Sequence, residues 1–269
     1  MHSLTVTCSA HEYELISAEL WEAGTTGISE SQHGDLVILT AGFVTNHARD
    51  QLLHKFEAHA PEWRAETRDW VRHTQKSWPA RKIGTRLFLA PPWCTEATPD
   101  GRNRIIHNPG LACGTGEHPC TQLALEALEY LVRPDITVAD VGTGSGVLAI
   151  AALRLGANTV VAVDADLAVL SSARENLHLN GMQGLLVNGT ADCIATAWAD
   201  VTVANISGTV LLAILEDLRR MTKNGGALIL TGFPESEAVV LRNELRTSEI
   251  VSRDGWCCLT TGRESFKGS

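Results

Sequence analysis

Seven consecutive residues, Asp140-Val141-Gly142-Thr143-Gly144-Ser145-Gly146, place three glycines between an apolar strand and the helical run Val147–Leu155. Glycines at such a turn let the backbone approach a ligand, and amide groups at the helix start can meet its polar end. Asp164 closes the next strand, 22 residues beyond Gly142. There a carboxylate can accept hydrogen bonds from both hydroxyls of a ribose. The pair points to a nucleoside cofactor, and its spacing argues against a nicotinamide dinucleotide. That ligand asks for Gly-x-Gly-x-x-Gly, whereas the sixth position is Val147 counted from Gly142 and Ala149 counted from Gly144.

Two further groups stand where such a site needs walls. Val203-Ala204-Asn205-Ile206 ends a later strand, and open α/β sheets bind ligands outside those ends. Asn205 has an amide oxygen that can hold an incoming amine; the plainer alternative is a cap for a helix beginning near Ser207. Asn108-Pro109-Gly110-Leu111-Ala112-Cys113-Gly114-Thr115-Gly116-Glu117-His118-Pro119-Cys120-Thr121 is a glycine-rich loop entering a helix near Pro119. It reads as a wall beside the glycine loop. His118 within it is either a general base or a residue pairing with backbone at the helix start.

These groups need elements to hold them. From Thr137 onward apolar strands alternate with helices, with strands expected at Val138–Val141, Val160–Val163, Val201–Ala204 and Ala227–Leu230. That alternation predicts a doubly wound, mainly parallel sheet. The first 66 residues read differently. Leu4–Cys8 alternates as a strand, residues 11–23 carry a helical repeat closed by Gly24, and Leu36–Leu39 is a second strand. Asn46 begins a helix expected to run through His59 and stop at Pro61. This order predicts a small α+β module.

Charge marks the same division. Residues 1–66 hold three Lys or Arg against ten Asp or Glu, residues 67–110 hold eight against three, and the rest hold eleven against eighteen. The full chain of 269 residues has a formal charge of −9, which argues against a protein whose main task is gripping nucleic acid. No apolar run is long enough for a membrane helix, and Met1-His2-Ser3-Leu4 lacks the features of a secretory signal. Seven scattered cysteines indicate neither a disulfide framework nor a zinc ribbon, and suit a reducing cytoplasm. Six of the ten histidines lie in the first module without metal-ligand spacing, so no metal site is expected. Trp63, Trp70, Trp78 and Trp93 either knit a linker onto a neighbouring domain or form a surface for a polypeptide.

The acid two positions before the first glycine, Asp140, resembles the leading motif of S-adenosylmethionine-dependent methyltransferases. A longer set of segments resembles one family among them, the ribosomal protein L-eleven methyltransferases. It includes Asp69-Trp70-Val71-Arg72, Gly110-Leu111-Ala112 with Gly114-Thr115-Gly116, and Gly142 through Ala152. It continues through Val163-Asp164-Ala165-Asp166, Arg174-Glu175-Asn176, Asn180-Gly181, Val203-Ala204-Asn205-Ile206, Leu230-Thr231-Gly232 and Trp256 to Arg263.

The resemblance implies a Rossmann-like methyltransferase domain over 96–269, a linker over 67–95, and a ferredoxin-like substrate-recognition domain over 1–66. It implies cofactor binding by Thr121, Gly142, Asp164 and Asn205, with Gly144 and Gly146 completing the loop and Asn205 also catalytic. The implied reaction methylates amino groups of ribosomal protein L-eleven, on lysine side chains, the N-terminal amine or both. A cytoplasmic monomer with no direct nucleic-acid or membrane contact is expected. Cys113 stands where the family usually has phenylalanine, and Cys120 where it usually has threonine. Those departures keep two alternatives open: the same chemistry on another protein or a small amine, or an inactive cofactor-binding interaction protein.

Overall fold

Strand β8 (Thr137–Val141) is buried from Val138 to Val141, as a central strand covered on both faces must be. The structure, a computed structural model, describes residues 2–9, 12–25, 27–33, 36–47, 49–65, 78–108, 116–245 and 249–262. The chain forms two compact units, Met1–Trp78 and Pro79–Ser269.

In the first unit, β1 (His2–Ser9), α1 (Tyr13–Glu22), β2 (Gly27–His33), β3 (Leu36–Phe43), α2 (Arg49–Lys55) and β4 (Glu62–Ala65) follow one another. The strands make an antiparallel sheet in the order β2-β3-β1-β4. Leu4, Val6 and Cys8 of β1 and Leu39, Ala41 and Phe43 of β3 alternate onto one face, where Ile16, Leu20, Leu52 and Phe56 cover them. Two strands, β2 and β4, were not expected. Their sequences, Gly-Ile-Ser-Glu-Ser-Gln-His and Glu-Trp-Arg-Ala, are polar because both lie at sheet edges. The helix expected to reach His59 ends at Lys55. Phe56 is buried, and a separate 3-10 turn spans Glu57–His59, ending at Ala60 with φ +46° just before Pro61. Trp63 stacks on His2 and Phe43, with ring centroids 5.7 and 5.3 Å away. Trp70 lies outside the described residues.

The second unit starts earlier than the linker expected over 67–95 would place it. Arg81–Ile83 (β5) and Leu87–Ala90 (β6) are already strands, joined by β7 (Asn103–Ile106) in a three-stranded sheet. Leu87, Phe88, Leu89 and Ala90 are consecutively buried, so this stretch belongs to a core. The remaining elements are α3 (Pro119–Leu131), β8, α4 (Val147–Arg154), β9 (Thr159–Asp164), α5 (Leu167–Leu179) and β10 (Leu185–Asn188). They are followed by β11 (Ala199–Asn205), α6 (Gly208–Ala213), α7 (Leu215–Met221), β12 (Thr222–Pro234), α8 (Glu235–Leu245), β13 (Glu249–Arg253) and β14 (Trp256–Thr261).

Seven strands form one sheet in the order β10-β9-β8-β11-β12-β14-β13. All adjacent pairs through β12 are parallel, while β14 runs antiparallel to both β12 and β13. Val138, Val201 and Val203 enter a core with residues of β5–β7, α3 and α4; Ala139, Val141 and Ala204 enter another with residues of α6, α7 and α8. The chain passes from β8 outward to β10, then returns to β11 on the other side of β8. Strand order therefore reverses between β8 and β11, and a ligand crevice is expected outside their carboxyl ends.

Candidate active site

Register places three of the sequence-predicted residues side by side. Val141 pairs with Val163 on one side and with Ala204 on the other. The next residues on the three adjacent strands are Gly142, Asp164 and Asn205, at the carboxyl ends where order reverses.

Gly142, Gly144 and Gly146 have φ of +73°, +54° and +80°, the left-handed region that favours glycine. A Cβ on Gly142 would fall 2.4 Å from Cγ2 of Ile206. The loop's own amides are largely engaged in shaping it. Gly142 and Thr143 donate to the Val163 carbonyl at 2.8 and 3.0 Å, Gly146 donates to the Thr143 carbonyl at 2.9 Å, and Gly144 donates to Asp164 Oδ2 at 2.9 Å. The loop thus offers bare backbone more than open donors, which narrows the expectation drawn from the glycines alone.

Asp164 is half-buried, and its other oxygen, Oδ1, accepts from the Asp166 amide at 3.0 Å. Each carboxylate oxygen takes one of these bonds and has a further lone pair for a ribose hydroxyl. Asp140 lies wholly buried beneath the loop. Its Oδ2 accepts from Thr143 Oγ1 at 2.7 Å and from the Ala149 amide at 3.1 Å, while Oδ1 is buried without a partner. Burial pushes its carboxyl up to about 7, against the opposing pull of those two hydrogen bonds.

Asn205 Nδ2 donates to Thr121 Oγ1 at 3.2 Å. Two residues further on, Ser207 occupies the N-cap of α6, so Asn205 is not that helix's cap. Thr121 stands in the first turn of α3, whose first residue is Pro119 and whose cap is His118. His118 Nδ1 accepts from the Cys120 amide at 3.3 Å, and the ring meets Trp256 edge to face at 4.4 Å. His118 therefore takes the backbone-pairing role and not that of a general base. Cys120 is buried, its thiol pushed up by burial and set against Thr231, Gly232 and Phe233 of β12. Cys113 lies outside the described residues.

A family model described as ribosomal protein L11 methyltransferase (PrmA) matches residues 1–264. The chain belongs to that family. The ribosomal protein L11 methyltransferase of Pseudomonas fluorescens is 34% identical over 249 residues, covering 91% of this chain and 80% of that protein. Its namesake in Geobacter sulfurreducens is 42% identical over 201 residues, 73% of this chain and 67% of the relative. The match to the Symbiobacterium thermophilum protein is 38% identical over 199 residues and spans 63% of that relative's length, 74% of this chain. A crystal structure described as ribosomal protein L11 methylase from Lactobacillus delbrueckii subsp. bulgaricus has a TM-score of 0.63 at 30% identity, covering 70% of this chain and 100% of that one. The second unit is thus a Rossmann-like methyltransferase fold, as its strand order indicates.

Within this L11 methyltransferase family member, reading residues along the chain misses what packs beneath the loop. His107 Nε2 lies 2.9 Å from Ser145 Oγ, and Asn176 bonds both Ser145 and Asn108. Asn176 and Asn180 were visible as matching residues, but nothing in their spacing indicated what they would touch. No described helix is long and apolar enough to cross a membrane.

Proposed function

We propose that this chain transfers methyl groups from S-adenosylmethionine to amino groups of ribosomal protein L11, on lysine side chains, the N-terminal amine or both. Asn205 carries this reading: its amide is fixed by Thr121 at the end of β11, one residue past the level of Val141, next to the glycine loop.

The residues present fit the cofactor. Glycines fill positions where a Cβ on Gly142 would strike Ile206, and Asp164 sits half-buried at the adjacent strand end with acceptor capacity for a ribose. Gly142, Gly144 and Gly146 let the backbone approach, Asp164 accepts from the ribose, and Thr121 and Asn205 close the reacting end. When bound, S-adenosylmethionine supplies an electrophilic methyl group on a sulfonium.

The protein's part is then alignment. With Asn205 Nδ2 committed to Thr121, Oδ1 accepts a hydrogen from the neutral amine and turns the nitrogen lone pair toward the methyl carbon. Holding reactants in a near-attack arrangement supplies much of the acceleration such a reaction needs. The amine must arrive unprotonated, and a lysine has a reference pKa of about 10.4. Among the described residues, neither His107 nor His118 is built to take its proton. His118 accepts from backbone, and burial pushes His107 down to about 4 beside Ser145. The proton therefore leaves to water.

The first unit serves as the substrate-recognition domain. Its β-α-β-β-α-β order with sheet order β2-β3-β1-β4 supports a ferredoxin-like module. The excess of seven negative charges over residues 1–66 suits a basic ribosomal protein. The chain works as a cytoplasmic monomer that grips neither nucleic acid nor membrane. Mass spectrometry of ribosomal proteins from a strain lacking this chain tests the reading. L11 should lose its amine methylation there and regain it when the gene is restored; L11 that is equally methylated in both strains overturns it.

A further inference from the structure

Four polar side chains in and around the glycine loop are buried. Relative exposure is 2% for His107, 0% for Ser145, 1% for Asn176 and 7% for Asn180. Leaving such groups buried without partners would be costly, and here they are satisfied by one another and by backbone. Asn176 Oδ1 accepts from the Asn108 amide at 2.8 Å, and its Nδ2 donates to the Ser145 carbonyl at 2.9 Å and to the Asn108 carbonyl at 3.3 Å. An amide hydrogen on one side and carbonyls on the other fix which way the side chain points. At the C-cap of α5, one turn beyond Asn176, Asn180 clasps the Ile106 backbone, accepting from its N–H at 2.9 Å and donating to its carbonyl at 2.6 Å. Its Nδ2 also reaches the Asn176 carbonyl at 2.8 Å.

The same helix meets the loop by shape. A Cβ on Gly146 would come within 3.1 Å of Ala173 Cβ and 3.2 Å of its Cα, so the third glycine is pressed against α5 one turn before Asn176. The Ser145–Gly146 peptide is then held at both ends: its carbonyl by Asn176, its N–H by the Thr143 carbonyl at 2.9 Å. His107 Nε2 and Ser145 Oγ meet at 2.9 Å.

We propose that Asn176 and His107 are positioning residues for the cofactor loop, with α5 as the fixed reference against which Asn176 sets the height of the Ser145–Gly146 peptide. The neighbouring Thr143-Gly144 segment, which Asp164 holds through the Gly144 amide, inherits that height. Loop shape and ribose acceptor therefore stay in one frame. The functional consequence rests on the reading of this site as one for S-adenosylmethionine, whereas the structural consequence does not.

Two measurements separate them. In the ligand-free full chain, hydrogen exchange should quicken over 142–146 in Asn176→Ala. A control, Thr202→Val, removes a part-buried 2.7 Å hydroxyl contact to Thr222 elsewhere in the sheet and should leave that segment unchanged. In titrations with S-adenosylmethionine, Asn176→Ala should bind about tenfold more weakly, since a buried carbonyl and amide lose their partner. His107→Leu should weaken binding severalfold, and His107→Gln, which returns a nitrogen able to bond Ser145, should recover most of it.

Loop exchange in Asn176→Ala no faster than in Thr202→Val overturns the proposal whatever ligand the site takes. If Asn176→Ala does not fold, His107→Leu and His107→Gln carry the same comparison, and identical loop exchange in both overturns it. A wild-type chain that fails to bind S-adenosylmethionine, yet shows the expected exchange, supports the positioning role and removes the proposed function instead.

Discussion

The side-chain amide of Asn205 donates to the hydroxyl of Thr121 at 3.2 Å, joining the end of β11 to the first turn of α3 across 84 residues of chain. Because Ser207, and not Asn205, occupies the N-cap of α6, the loss of Asn205 should be felt mainly in chemistry. Asn205→Ala should lower the methylation rate at saturating cofactor by about 100-fold, the scale of a misplaced reactant. Its stability cost should be about 1 kcal/mol, the worth of one hydrogen bond. Turnover and thermal unfolding measured on the same preparation check this. Thr121→Val, which keeps the shape and frees Asn205 to rotate, should give a smaller loss in the same direction.

Asp164 holds the Gly144 amide, and on the proposed reading it also accepts from the cofactor's ribose. Asp164→Ala should weaken S-adenosylmethionine binding by roughly 1.5–3 kcal/mol for loss of bonds to a charged acceptor. That corresponds to about 10- to 150-fold in dissociation constant, measurable by calorimetry. An unchanged affinity removes Asp164 from the site.

The local part of this site was readable along the chain. Asp140 through Gly146, Asp164 and Asn205 each end a strand of strong apolar character, and periodicity locates strand ends well enough to place them. Which partners they take was not readable. Thr121 to Asn205 and Asn176 to Asn108 and Ser145 are contacts between distant segments, fixed by tertiary packing, and a single sequence carries no local signal of them. The missed elements share a physical cause as well. The edge strands β2, β4 and β10 have one unpaired side, so they need no continuous apolar run. Strands β5 and β6 lie in a stretch whose positive charge reads as surface, although Arg102 turns inward to bond the carbonyls of Ile83, Gly84 and Leu87.

Asp140 makes stability depend on pH in a definite direction. Its carboxyl is raised from 3.8 to about 7 by burial, so between those values the folded chain holds a proton that the unfolded chain lacks. Stability from this group is full below the lower value, falls as pH rises through the window, and is lost above about 7. Asp140→Asn keeps an oxygen for Thr143 and Ala149 and cannot ionise. Urea unfolding at pH 5 and pH 8 should therefore show wild type losing stability relative to Asp140→Asn at the higher pH. Parallel behaviour of the two proteins would mean that Asp140 does not titrate in this window.

On the proposed reading, in which neither His107 nor His118 accepts the proton, the rate follows the amine itself. With a lysine acceptor, kcat/KM should climb tenfold per pH unit through neutrality and continue toward about 10.4; with the N-terminal amine it should level near 7.7–8.0. Profiles on L11 with its N-terminus blocked or free distinguish the two. A plateau near pH 6.5 on both substrates would instead reveal a histidine base.

The most direct test of the central claim uses purified full-length chain, purified L11 and S-adenosylmethionine labelled in its methyl group. Intact and fragment mass spectrometry of the L11 product reads the outcome. The account predicts label on amino groups of L11 with the wild-type chain and little with Asn205→Ala, at comparable fold stability. L11 left unlabelled by a wild-type chain that binds S-adenosylmethionine would contradict it, as would equal labelling by both proteins.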